Sequence, residues 1–298
     1  MISVLIPVYN YKVQPLVENL LLQFKSINCK WELFLSDDVS NSQYKSKNQN
    51  YINELNLKNV KLFQQEKNIG NAANRNFLID KATSDWLLFL DVDVLAVKDD
   101  FLSSYIDEME TTDRDLISGN IIYDHNNPQP NLLRWKYGKQ KEEIGFDQRN
   151  VHPILNLRGA NFAIKRRLAK DNNFPLLKET YGFVDTRFFL QFNQSQVLVI
   201  ENPVYHLGIE DNDVFVGKTK KAIANAMFLM NTNDELASRL TLVSSYKKIR
   251  GFRYILNKIY HSFNTRLEKN LLSKKPSLFV FQLFKILYLS SLDVSENS

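Results

Sequence analysis

The sequence predicts an α/β protein built on a mostly parallel central sheet with helices on both faces. Three observations predict it. Short apolar runs alternate with segments of helical spacing through residues 2–90, as repeated βα units do. The run in "DWLLFLDVDV" (85–94) is apolar without alternation, as a strand buried on both faces must be. Polar clusters close three of the runs, at 7–10, 36–40 and 91–93. In such sheets ligands bind at the carboxyl ends of the strands.

The elements follow in order. Residues 2–8 read as a strand ending at Tyr9-Asn10. Residues 14–27 have helical spacing, with Leu16, Leu20 and Phe24 on one face. Residues 31–35 form a second strand and meet "SDDVSNS". A helix over 43–56, a strand over 60–63, a helix over 70–82 and the strand 86–90 complete the regular half. Beyond it, 116–123 reads as a strand and 124–156 as a long loop with one helix, containing "HNNPQPN". "LRGANFAIKRRL" predicts a strand entering a short helix, and "YGFVDTRFFLQF" an acid before an aromatic helix. "VLVIENPVYHLG" predicts a strand with a histidine just past it. The expected division is an α/β domain over 1–215 and a helical C-terminal region over 216–298.

Composition narrows the function. The 298 residues are 44% hydrophobic and 12% aromatic, which excludes a disordered or fibrous chain. One cysteine, Cys29, fits a reducing compartment. The opening residues lack the basic segment of a secretory signal, and no uncharged apolar run reaches about 18 residues. The expected location is cytoplasmic. Net charge is +5, but residues 246–298 carry ten Lys and Arg against three Asp and Glu, a net +7, leaving the rest at −2. A basic tail on a nearly neutral body argues against a nucleic-acid-binding domain.

Asp91 and Asp93 carry the sharpest chemistry. On an extended backbone, residues i and i+2 face the same way. Two such carboxylates repel unless something positive joins them. Oxygen donors suit Mg²⁺ or Mn²⁺, which completes its shell from a diphosphate. The bland alternative is a turn or a helix cap.

Four motifs occur in a fixed order: "VLIPVYN", "SDDVS", "EKNIGNAANRN" and "FLDVDV". Together they resemble the inverting family 2 glycosyltransferases of the GT-A fold, over about residues 1–210. The resemblance implies a UDP-sugar donor and a Mn²⁺ or Mg²⁺ cofactor. It implies that Asp38 reads the uracil N3–H, and that Pro7, Tyr9, Asn10 and Asn68 line the nucleotide. Arg75 then matches a basic residue near base and phosphates, Asp91 touches ribose or sugar, and Asp93 binds the metal. His206 is similar to a histidine that approaches the metal or diphosphate. Asp185 matches the general base. Arg158, Gly159 and Asn161 resemble the strand that floors the acceptor site. Val39 departs from a position that is often glycine. Asp37 and Asp38 are alternatively caps of the helix after them, Arg75 a solvated helix residue, and Asp185 an N-cap paired with Arg187. The Trp135 and Tyr137 pair suits core packing before sugar stacking.

The implied activity is transfer of one sugar, by a hexosyl- or N-acetylhexosaminyltransferase, to a hydroxyl of a glycan or lipid-linked acceptor. A sugar-1-phosphate nucleotidylyltransferase would need a glycine-rich loop that "VYNYKVQP" lacks. A non-catalytic nucleotide-sugar or glycan-binding protein would not need Asp91, Asp93 and Asp185 together. In the tail, Ile249, Phe252, Leu256, Ile259, Phe263 and Leu267 recur at helical spacing among lysines and arginines. That helix suits either an anionic membrane surface or packing on the catalytic domain.

Overall fold

A computed structural model describes residues 1–124, 132–177, 181–232 and 235–296. The "HNNPQPN" stretch at 125–131 lies outside them. The strands are β1 (Ile2–Val8), β2 (Trp31–Asp37), β3 (Val60–Gln64), β4 (Trp86–Leu90), β5 (Val94–Ala96), β6 (Leu116–Ile122), β7 (Asn161–Lys165) and β8 (Val197–His206). The helices in chain order are α1 (Gln14–Phe24), α2 (Ser42–Leu55), α3 (Gly70–Lys81), α4 (Phe101–Thr111), α5 (Leu133–Lys141), α6 (Phe146–Val151) and α7 (Pro153–Asn156). They continue with α8 (Arg166–Asp171), α9 (Val184–Phe189), α10 (Asn212–Asn231), α11 (Thr241–Ile249), α12 (Arg253–Leu271) and α13 (Leu278–Glu296).

The chain divides into two compact units. Unit one comprises 1–124, 142–175 and 191–208, and unit two 125–141, 176–190 and 209–298. Unit one holds the whole sheet, in the order β3-β2-β1-β4-β7-β6-β8-β5. β1 pairs in parallel with β2 and β4, and β2 with β3. All seven residues of β1 are buried, because strands flank it on both sides and helices cover both faces. The mostly parallel sheet is as expected, with β7 set antiparallel between β4 and β6.

Several expectations are corrected. Among the described residues, the region expected to be a long loop with one helix holds three short helices, α5 to α7. β5 and α4 carried no expectation. Asn161 does not face an acceptor. It is fully buried; its Oδ1 accepts from the Tyr105 hydroxyl at 2.8 Å, and its Nδ2 donates to the Asn120 and Asn202 carbonyls at 2.9 Å each. A buried amide with its bonds spent inside the fold clamps strands instead. Neither Asp37 nor Asp38 caps α2, since Asn41 does so by accepting from the Tyr44 N–H at 3.3 Å. The Asp37 Oδ1 accepts the Ser40 N–H at 2.7 Å and shapes the turn.

Val39 lies in that turn at φ 62°, a left-handed conformation that strains a β-branched residue. Glycine at 39 relieves about 1–2 kcal/mol of strain and gives back part of it through the looser unfolded chain. Val39→Gly is expected to raise stability by about 1 kcal/mol, read as a higher denaturant midpoint at unchanged slope.

Unit two is helical. Its core contains Leu133, Phe215, Val216, Tyr260, Leu271, Phe281, Phe284 and Leu287. Tyr137 packs there against Phe215 and Phe281, which bears out core packing for that residue. The single tail helix expected through 249–267 is broken by a tight turn at Arg250–Phe252. There the Arg250 guanidinium grips the fully buried Asp293 of α13, with two contacts of 2.8 Å. By length and composition alone, α13 could cross a membrane, with mean hydropathy 1.4. It also carries the buried Asp293 and the half-buried Lys285, and desolvation lowers the Lys285 pKa to about 8.

Candidate nucleotide and metal site

The candidate residues of unit one gather where β1, β2 and β4 stop. Beyond β1, Tyr9 is exposed and Asn10 turns the chain at φ 50°. The Asn10 N–H donates to Ser40 Oγ at 2.8 Å, and its Oδ1 accepts the Asn41 N–H at 2.8 Å. The loops after β1 and β2 are thus tied to each other. Pro7 is inside β1, opposite Ser36 of β2.

Asp38 is buried just after β2. Its Oδ1 accepts the Ile69 N–H at 2.7 Å and its Oδ2 the Gly70 N–H at 2.8 Å. Those amides open α3, which has no side-chain cap of its own. A carboxylate at a helix start satisfies orphan donors and meets the positive end of the dipole. Asn68 Nδ2 donates to the Asp38 carbonyl at 3.0 Å. Burial pushes the Asp38 carboxyl above its usual range, while the two amides pull it back. Each oxygen keeps a second lone pair for a ligand donor.

Arg75 is not a solvated helix residue. It is fully buried, and its Nη2 donates to Asp91 Oδ1 at 2.7 Å and to the Gly159 carbonyl at 3.1 Å. The Phe174 ring lies 5.2 Å from its guanidinium carbon. Asp91 therefore finds its positive partner inside the protein. The two aspartates do not sit on one extended face, because β4 ends at Leu90 and the chain turns at Val92–Asp93 before β5.

Asp93 turns instead to β8. β5 pairs antiparallel with β8, with Val94 opposite His206. His206 Nε2 lies 3.7 Å from Asp93 Oδ2, and the Leu207 N–H donates to the Asp93 carbonyl at 2.8 Å. The His206 ring stacks on Tyr123, centroids 5.5 Å apart. The Tyr123 hydroxyl donates to Glu142 and its N–H to Glu143 Oε2, the latter at 2.9 Å. Burial, then the Asp93 charge, raise the Tyr11 pKa. No group of three or more acidic, histidine or cysteine side chains suited to a metal occurs among the described residues. One carboxylate and one imidazole fit an ion that takes its other ligands from a diphosphate and water.

Gly208 was not found from sequence. A Cβ there would lie 1.8 Å from Asp93 Oδ2 and 2.7 Å from Asp93 Cγ. Only glycine lets the chain pass this close to the carboxylate. Gly208→Ala is expected to leave the fold intact and weaken Mn²⁺ binding roughly 10–100-fold, read by titrating Mn²⁺ against its paramagnetic signal.

Asp185 belongs to unit two. It lies in the first turn of α9, whose N-cap position is Phe183 at φ 61°, so it is not the N-cap. The segment before it is pinned to α10. Asn225, fully buried, donates through Nδ2 to the Tyr181 and Gly182 carbonyls at 3.0 Å each. Gly182 has φ 94°, and a Cβ on it would lie 2.5 Å from Ala222 Cα. The only sequence signal for Asn225 is a polar residue among Ile223, Ala226 and Met227, all buried.

Comparison with known proteins bears on the family and the fold. The family model for "Glycosyl transferase family 2" matches residues 3–172. An "Uncharacterized glycosyltransferase" of Haemophilus influenzae is 32% identical over 130 residues, 43% of this chain. The chain spans about half, 46%, of that relative's length. Among solved structures, the mannosyltransferase PcManGT of Pyrobaculum calidifontis, in complex with GDP-Man and Mn²⁺, has TM-score 0.60 at 11% identity. That likeness covers all of this chain and 88% of the other. Glucosyl-3-phosphoglycerate synthase of Mycobacterium tuberculosis, with Mn²⁺ and UDP, has TM-score 0.51 at 13% identity, covering 76% and 78%. These likenesses show the fold: it is the GT-A architecture expected from the motifs.

Proposed function

The chain belongs to glycosyl transferase family 2, enzymes that transfer sugars, and from that premise we propose an inverting transferase that takes one sugar from a UDP-sugar. The acceptor is a hydroxyl of a glycan or lipid-linked molecule. The observation that carries the reading is the Asp93–His206 pair just beyond β4, in the unit that also holds Asp38. Asp38 accepts from the uracil ring N–H with the lone pairs its amide partners leave. Pro7, Tyr9, Asn10 and Asn68 frame the base. Arg75 acts through Asp91, holding that carboxylate toward ribose or sugar from beneath.

Asp93 and His206 would hold Mn²⁺ or Mg²⁺, which offsets the charge that builds on a departing diphosphate. Asp185 serves as general base. It takes the acceptor hydroxyl's proton as the new oxygen–carbon bond forms and the anomeric carbon's bond to UDP breaks. One displacement inverts the anomeric configuration. The catalytic domain is assigned to 1–215 and the helical region to 216–298, with the enzyme working in the cytoplasm at the inner face of the cell membrane.

The test is calorimetric titration of UDP, and of GDP for comparison, with and without Mn²⁺. Metal-dependent UDP binding supports the reading. A folded protein that binds neither nucleotide would sink it. Binding of GDP in place of UDP would remove the uracil role of Asp38.

A further inference from the structure

The hairpin of α12 and α13 buries only half of the apolar stripe on α12. Tyr260 and Leu271 are buried in the helical core, with Leu256 and Leu267 packed against it. Ile255, Ile259 and Phe263 form a second row at four-residue spacing, one side of the helix. They are 58%, 38% and 44% exposed, and Phe252, in the turn before the helix, is 63% exposed. Water-facing rows of large apolar side chains need a partner.

Charge says what partner fits. Lys258, Arg266 and Lys269 are exposed along the edge of the row. The Arg266 guanidinium carbon lies 5.7 Å from the Phe263 ring centre, a basic group set beside the apolar row. Lys247 and Lys248 are exposed in the last turn of α11, just before Phe252. Among the described residues, α12 offers no unpaired acid. Glu268, the one acid of α12, is paired with Lys220, and Asp293 is buried against Arg250. Two copies meeting through this row would set lysine against lysine without a carboxylate between them. An anionic bilayer surface complements both the apolar row and its basic border.

We propose that the Phe252, Ile255, Ile259 and Phe263 face of α12 inserts into the interface of an anionic membrane, with Lys258, Arg266 and Lys269 on the lipid phosphates. This names the surface and lipid class for the membrane contact proposed above, and it does not depend on the nucleotide reading.

The experiment is co-sedimentation of the full chain with phosphatidylcholine vesicles, with or without about a third phosphatidylglycerol. Two paired variants are compared, Ile259→Asp with Phe263→Asp and Lys258→Glu with Arg266→Glu. All four side chains are exposed, and circular dichroism checks the fold. Binding is expected on the anionic vesicles, weakening with added salt. Each pair should lower the partition at least about tenfold. Soluble UDP binding should match the wild type in both, so a failed nucleotide reading leaves the vesicle result standing. The proposal is overturned by a wild-type chain that stays in solution, by variants that sediment as the wild type does, or by a wild-type dimer in light scattering that the aspartate pair dissolves.

Discussion

Asp93→Asn is expected to abolish metal-dependent UDP binding and to lower kcat by at least about 10²-fold, since the bound ion supplies several kcal/mol to the transition state. Asparagine keeps the shape and the carbonyl oxygen but removes the charge that faces His206 Nε2 across 3.7 Å. The remaining imidazole is a weak site by itself. Stability should change little, because the Asp93 backbone, not its side chain, accepts the Leu207 N–H that ties β5 to the end of β8. Calorimetry with and without Mn²⁺, run beside thermal melts, separates the two effects. UDP affinity unchanged in the variant would remove Asp93 from the metal role. The same substitution at Asp91 addresses another question. It takes a charged partner from the buried Arg75, and a buried charge that loses its partner lowers stability. Two acids one residue apart therefore differ in their surroundings, one paired with the buried Arg75 and one turned to His206.

That difference was not legible in the sequence. Alternation of apolar runs and helical spacing gave β1 to β4 and the helices between them, because those elements form from neighbouring residues. It also put Asp38, Asp91 and Asp93 at strand ends. What joins those ends comes from strand order and turns, which a local pattern does not carry. Asp93 meets His206 because β5, only three residues long, pairs with the far end of β8. β5 itself is too short to announce itself by periodicity. Gly208 belongs to the site only because that pairing brings the chain against the Asp93 carboxylate. Asp38 meets the start of α3 across more than thirty residues, and no spacing rule connects them. In the tail the apolar period was visible, but it does not say which part of a stripe is covered. The hairpin with α13 covers one half, and Arg250 gripping Asp293 breaks the helix where the period alone would continue it.

Asp185→Asn is expected to lower kcat by roughly 10²–10⁴-fold, the usual contribution of a positioned general base. UDP binding and its metal dependence should stay at the wild-type level, which distinguishes this variant from Asp93→Asn. Asp185 sits on a backbone that is held in place. Its short helix α9 follows a backbone fixed by a glycine at φ 94° that only glycine fits, and by the two carbonyls bound to Asn225. A general base loses its advantage when its position drifts by about 1 Å, and such fixation limits that drift. Asparagine is nearly isosteric, so the helix start and these contacts should survive, and a loss in turnover reads on the proton acceptor alone. Donor hydrolysis by water gives a second readout that needs no identified acceptor, since water too must surrender a proton. Wild-type rates in both assays would exclude Asp185 as the base and leave it a half-buried acid of α9. Loss of turnover with intact nucleotide binding would divide the work of the chain between a donor-holding sheet and a proton-accepting helix.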